Sequence, residues 1–193
     1  MMKLAAISLS YQRLFRDGGM GMESFIDEVR ALDLDGVDFN ARSLRSDDRD
    51  YLLSLKRRCL RLGLPLACLS ISNDFGLDGE PLRDQVSTAK RWIDHALVLG
   101  APQVRVFAGT LQPGEHEHVT ARRCADALGD VARYGYERGI QVSLQNHNHG
   151  ALARSGATIL RFVEAAAPYL GHVWDTGQYV GSPGASGVDG LHG

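Results

Sequence analysis

The sequence predicts an α/β protein of the TIM (β/α)8-barrel type, with six β/α units in the chain. Three observations carry this prediction. Short apolar or β-branched runs alternate with longer segments of helical period. Several helical segments stop at a glycine one or two residues before the next run. The runs themselves carry one apolar and one polar face.

Strands are predicted at Lys3–Ser10, Gly36–Asn40, Pro65–Asn73, Gln103–Phe107, Ile140–Asn146 and Gly171–Asp175. Their starts lie roughly 30 to 38 residues apart, the size of one strand, one helix and two loops. The intervening segments keep the i, i+3, i+4, i+7 spacing of an amphipathic helix. The stripes are Phe25, Ile26, Val29, Leu32; Leu52, Leu55, Cys59, Leu62; and Val86, Ala89, Ile93, Ala96, Leu97. Two more are Ala121, Cys124, Ala125, Leu128, Val131, Ala132 and Ile159, Phe162, Val163, Ala166. Gly63, Gly100 and Gly139 close helices, because glycine enters the left-handed turn that ends a helix without steric cost.

Strand faces choose between an open doubly wound sheet and a barrel. Ile140, Val142 and Leu144 have one parity; Gln141, Ser143 and Gln145 have the other. Val104 and Val106 oppose Arg105, and Val37 and Phe39 oppose Asp38 and Asn40. A central strand of a doubly wound sheet is covered on both faces and is apolar on both. One polar face turned to a common interior suits a barrel. No GxGxxG follows the first strand, so a dinucleotide fold has no motif support.

A barrel of this type takes about 250 residues and eight units. The chain has 193 residues, and after Asp175 it runs TGQYVGSPGASGVDGLHG. Residues 1–178 are therefore expected to form an incomplete barrel, and 179–193 a Gly-rich loop or truncated tail. An open barrel leaves unpaired strand edges, which favours association into a homo-oligomer.

Composition narrows the partners. The chain is 44% hydrophobic and 23% charged, with a formal net charge of -2. That balance gives no support to a nucleic-acid binder, which shows a basic excess or stripe. Arginines lie mainly on helix faces, the pattern of a solvated exterior. No run approaches the roughly 18 apolar residues of a membrane span. The N-terminal apolar run is too short for a signal segment. Cys59, Cys68 and Cys124 form no CxxC pair and read as small core residues. A reducing cytoplasm is the expected location.

In such barrels the site lies at the C-terminal ends of the strands. Collected there are Asp38 and Asn40; Ser72, Asn73 and Asp74; Arg105; Gln145, Asn146, His147, Asn148 and His149; and Asp175 with Thr176 and Gln178. In LQNHNHG, Gln145, His147 and His149 alternate to one side of an extended strand. Two histidines at i, i+2 with an aspartate nearby suit a divalent metal. The same spacing also suits a hydrogen-bonded strand end without one. His116 and His118, in an acidic loop led by Gly and Pro, are expected to face solvent, and Trp174 to pack. General acid/base work needs two tuned groups near one carbon, and His147 with Asp175 is the pair these strands supply.

Taken in order, ISLS, GVDFN, VRVFAG, GIQVSLQNHNHG and HVWDTGQ resemble the sugar phosphate isomerase/epimerase family, a xylose isomerase-like TIM barrel related to endonuclease IV. The resemblance runs to about Gln178. It implies a divalent metal (Mn²⁺, Mg²⁺, Co²⁺ or Zn²⁺) held by carboxylates and a histidine at the strand ends. It also implies metal-assisted proton transfer on a small sugar or polyol through an enediolate. Asp175 matches the family's metal aspartate on strand 6. The strand-5 motif Glu-Asn-His is here Gln145, Asn146, His147, and Gln178 stands where many members have His. The family's further ligands come from strands 7 and 8.

By this resemblance Asp175 and Gln145 are the metal candidates, and His147 and Asp175 the catalytic ones. Asn40, Asn73, Arg105, Gln145, Asn146 and Gln178 are expected to meet the substrate. Gln145 removes a negative charge and a potential base, since an amide takes up no proton near neutral pH. That departure supports a second expectation, a non-catalytic carbohydrate-binding barrel. A DNA-repair endonuclease is disfavoured by the negative net charge.

Overall fold

The computed structural model describes residues 2–148 and 150–178. His149 and the segment 179–193 lie outside the described residues. Among the described residues there are six strands: β1 (Ala5–Ile7), β2 (Gly36–Asn40), β3 (Leu66–Ser70), β4 (Gln103–Val106), β5 (Gln141–Gln145) and β6 (Leu170–Val173). The α-helices are α1 (Gln12–Arg16), α2 (Met22–Ala31), α3 (Arg49–Leu62), α4 (Gly79–Leu99), α5 (Glu117–Tyr136) and α6 (Gly156–Ala165). Strand order in the sheet follows the chain, β1-β2-β3-β4-β5-β6. The pairs β1–β2, β2–β3 and β5–β6 are parallel.

All six predicted strands exist, and several are shorter than predicted. β1 gives way to a 3-10 turn at Ser8–Tyr11. Ser8 is buried; its Oγ accepts from the Asn40 backbone N–H at 2.8 Å and donates to Ser43 Oγ at 3.1 Å. A serine bonded this way draws the chain out of the ladder. β3 stops before Asn73 and β6 before Asp175, where side-chain amides take over the backbone pairing. Gly63 and Gly100 close α3 and α4 as predicted, with φ of +68° and +82°. α5 instead ends at Tyr136 with Glu137 as its C-cap, and Gly139 (φ +72°) turns the chain three residues later.

The chain divides into two compact units, Met1–Ile71 with Trp92–Val104, and Ser72–Arg91 with Arg105–Gly193. The first unit buries Phe25, Ile26 and Val29 of α2, Leu52, Leu55 and Cys59 of α3, and Val37 and Phe39 of β2. Each such large side chain contributes about 1.5–3 kcal/mol of transfer free energy. In the second unit α5 packs on β5, β6 and α6. Cys124, Leu128 and Val131 meet a core that includes Val142, Leu144, Ile159 and Phe162.

Two stripe positions depart from the prediction. Leu32 is 53% exposed, because α2 ends at Ala31 and Leu32 is its C-cap. Leu97 is 43% exposed, because Ala96 and Leu99 hold the buried face and position 97 is rotated off it.

All three cysteines are buried and free, as predicted. Burial pushes the Cys59 thiol up to about 11 and the Cys124 thiol up to about 12. Native protein at about pH 8 is therefore expected to leave Ellman's reagent unreacted, with all three thiols reacting after urea unfolding. A raised thiol pKa stabilises the folded state fully below the ordinary value of 9.0, and that contribution is lost as pH rises through about 11 and about 12.

Candidate functional site

Two asparagine side chains extend the sheet beyond its strands. Asn73, past the end of β3, donates from Nδ2 to the Phe107 carbonyl at 2.7 Å and accepts from the Phe107 N–H at 2.9 Å. Asn146, just past β5, donates to the Asp175 carbonyl and accepts from the Asp175 N–H, both at 2.8 Å. A carboxamide offers one donor and one acceptor in the geometry of a peptide unit, so each side chain acts as a ladder rung. Asn146 is fully buried. Asn146→Ala should strip two backbone groups of Asp175 and cost about 1–3 kcal/mol, measurable by urea denaturation.

Around Asp175 three of the sequence candidates, Gln145, Asn146 and Gln178, converge. Gln145 Nε2 donates to Asp175 Oδ2 at 2.6 Å, and the Gly177 N–H donates to Oδ1 at 3.0 Å. The Gln178 N–H donates to the Asp175 carbonyl at 3.2 Å, while its side-chain oxygen accepts from the Asn148 N–H at 3.4 Å. Gln145, Asn146, Asp175 and Gln178 thus form one hydrogen-bonded cluster.

The loops after β3 and β4 are joined through Asp74. Its Oδ1 accepts from the N–H groups of Gly76 and Thr110, at 2.8 and 2.9 Å. Its Oδ2 accepts from Thr110 Oγ1 at 2.6 Å. Gly76 and Gly109 approach so closely that no Cβ fits: one built on Gly109 falls 2.3 Å from Gly76 N. Arg123 of α5 braces the same loop, donating to the Gly76 carbonyl at 2.6 Å and to Glu115. From there the connection reaches the loop after β5. Thr110 and Ala151 form an antiparallel bridge, and the Leu152 N–H donates to the Gly109 carbonyl at 2.9 Å. The His147 N–H donates to the Ala153 carbonyl at 2.9 Å.

These loops enclose a cleft of about 170 Å³ lined by Asn73, Asp74, Phe107, Gly109, Thr110, His147 and Ala151. The Phe107 ring stands edge-on to His147, with centroids 5.0 Å apart. The Arg105 guanidinium lies 4.2 Å over the Phe107 ring, and Arg105 is buried. The volume falls below the roughly 300 Å³ at which pockets for drug-sized ligands begin, so the cleft suits a small molecule. Its lining joins one aromatic ring to carboxylate, hydroxyl, amide and imidazole groups.

Asn40 belongs to the other compact unit. Its side-chain oxygen accepts from the Arg42 N–H at 3.0 Å, capping the 3-10 turn after β2. His116 and His118 are exposed and stack on each other, in keeping with the surface reading. Trp174, expected to pack, is 36% exposed because it follows the last residue of β6. A larger groove of about 860 Å³ runs along α4 and α5, where Lys90 pairs with Asp130 at 2.8 Å. It is lined by side chains of these two helices.

The metal implied by resemblance needs about four or more hard or borderline ligands. Among the described residues no group of three or more His, Cys, Asp or Glu side chains is placed to hold a metal ion. Of the two metal candidates, Gln145 presents its N–H to Asp175 rather than an oxygen to a cation. The described donor set, one carboxylate and one amide turned as donor, does not fit a divalent cation.

Sequence reasoning passed over Phe107, Gly109, Thr110 and Ala151. For the first three the signal was the run FAGT directly after β4, where a small residue and a glycine interrupt the apolar pattern, whereas nothing local marks Ala151. Asp74 was visible as a strand-end polar residue, but its role as loop anchor was not.

Residues 26–186 match the family described as xylose isomerase-like TIM barrel. No curated protein matches the chain. Among solved structures, the chain is similar to D-psicose 3-epimerase in the presence of D-fructose, at 13% identity and TM-score 0.76, covering 91% of this chain and 64% of that one. It is similar to L-ribulose 3-epimerase at 21% identity and TM-score 0.76, covering 91% and 61%. It is also similar to the probable 3-DHS dehydratase AsbF from Bacillus anthracis, involved in petrobactin synthesis, at 16% identity and TM-score 0.79, covering 99% and 69%. At these identities the likeness shows the fold. The chain spans less than two thirds of the length of the two epimerases.

Proposed function

Because the chain belongs to the xylose isomerase-like TIM barrel family, we propose that it binds a small sugar or polyol at its strand ends and moves a proton on it, as an isomerase or epimerase does. The observation that carries this reading is the cleft, where the His147 imidazole meets an aromatic ring beside amide, carboxylate and hydroxyl groups. The two epimerases among the similar structures support the same substrate class.

In this reading His147 takes the proton from the carbon beside a carbonyl, and the electron pair moves onto the carbonyl oxygen as an enediolate. Return of the proton to the neighbouring carbon, with the hydroxyl proton passing across to the former carbonyl oxygen, gives the isomer. Delivery of a proton from water to the opposite face of the same carbon, while His147 keeps the one it took, gives the epimer. Asp175 accepts a substrate hydroxyl, and Gln145 holds its carboxylate in place. Phe107 offers its ring to the C–H face of the substrate, fixed by Arg105, whose positive charge favours the developing oxyanion. Asn73 lines the cleft, while Asn146 and Gln178 keep the Asp175 turn in register. No step is routed through a metal, because the described donors do not fit one.

Incubation with a panel of aldoses and ketoses in D2O, followed by proton NMR, tests the proposal. Deuterium is expected at a carbon beside the carbonyl of at least one member, with loss of incorporation in Asp175→Ala. Absence of incorporation across the panel removes the catalytic reading. The Gln145–Asp175 bond favours a second reading, a carbohydrate-binding barrel without turnover. Saturable sugar binding with no deuterium incorporation is its signature.

A further inference from the structure

We infer that Gln145 converts Asp175 from a cation ligand into a metal-independent acceptor for a ligand hydroxyl. This deepens the sugar-binding reading and rests on it only for the identity of the ligand. Gln145 Nε2 donates to Asp175 Oδ2 at 2.6 Å. A carboxylate has only acceptors, so an amide facing it must turn its NH₂ group toward it. The amide orientation therefore follows from its partner. With Oδ2 engaged by Gln145 and Oδ1 by the Gly177 N–H, each carboxylate oxygen already accepts one neutral donor. Each retains further acceptor capacity, which a hydroxyl fills well.

Neutral donors stabilise the anion without adding charge, so nothing in this cluster calls for a cation. A second carboxylate at position 145 would reverse this. Two negative groups at hydrogen-bonding distance repel unless a proton or a cation lies between them. One amide for one carboxylate is thus the difference between a site that demands a cation and one that does not. The backbone at Asp175 is clasped on both sides by Asn146, so exchanging Gln145 for Glu alters charge while the carboxylate keeps its place.

The test titrates the full chain, stripped of metal, with Mn²⁺ and counts free ion by electron paramagnetic resonance. Wild type and Asp175→Ala are expected to bind Mn²⁺ alike, within about threefold, because Asp175 is not a metal ligand. Gln145→Glu is expected to bind about tenfold more tightly than wild type, and Gln145→Glu with Asp175→Ala is expected to lose that gain. Wild-type binding that Asp175→Ala weakens about tenfold overturns the inference. So does a folded Gln145→Glu protein, verified by circular dichroism, with no gain over wild type. If Gln145→Glu fails to fold, the comparison of wild type with Asp175→Ala still decides. In a second arm, polyol binding followed by saturation-transfer NMR should be unchanged by EDTA, and loss of binding in EDTA overturns the inference. Should no polyol bind at all, the functional reading fails while the Mn²⁺ comparison still decides the role of Gln145.

Discussion

Gly109→Ala is expected to destabilise the folded chain by about 3 kcal/mol or more, from two costs that act together. Gly109 has φ of +131°, a region in which an L side chain is strained. Its missing side chain also leaves the space that the neighbouring loop fills. A Cβ there would sit 2.3 Å from Gly76 N, 2.6 Å from Asp74 Oδ1 and 2.9 Å from Phe75 N. Two of these atoms are backbone, and the third is pinned by two hydrogen bonds, so none gives way cheaply. Gly114 provides the control. Its φ is +80° but no atom lies within 4 Å of its built Cβ, so Gly114→Ala should show only the strain, about 1 kcal/mol. Urea denaturation of both variants separates strain from close approach. Equal losses in the two would remove the argument for a Gly76–Gly109 contact.

His147→Ala is expected to lower deuterium incorporation by about 10² to 10⁴, the range a positioned general base contributes. Sugar binding should change far less, within about threefold, because the remaining cleft groups and the Asp74–Thr110 connection persist. The substitution leaves the His147 N–H bonded to the Ala153 carbonyl, so the loop keeps its anchor. A parallel loss of binding and incorporation would make His147 a binding residue rather than the proton carrier.

The alternation of strands and helices was legible because it rests on local pattern. β2 matches its predicted span, and the cysteines fall on the buried faces that their spacing indicated. What the sequence concealed is long-range. Asn73 and Phe107 are 34 residues apart, and Asn146 and Asp175 are 29 apart. An asparagine in a strand-end run looks like a ligand-facing group whether its amide meets a substrate or a backbone peptide. The same holds for Asn40, whose oxygen caps its own turn. Local reasoning extended β1 over Ser8 because an isolated serine fits a strand, whereas the hydrogen bonds that divert it come from Asn40 and Ser43. The cleft was half visible: His147 and Asp74 stood out by chemistry, while Gly109 and Ala151 matter for being small.

The central claim is that the cleft beside His147 receives a small sugar or polyol. Its most direct measurement is the imidazole NMR spectrum of the full chain during titration with a panel of such compounds. Saturable shifts of the His147 ring resonances are expected with at least one compound. A panel that binds elsewhere or nowhere, with the His147 resonances unmoved, would contradict it.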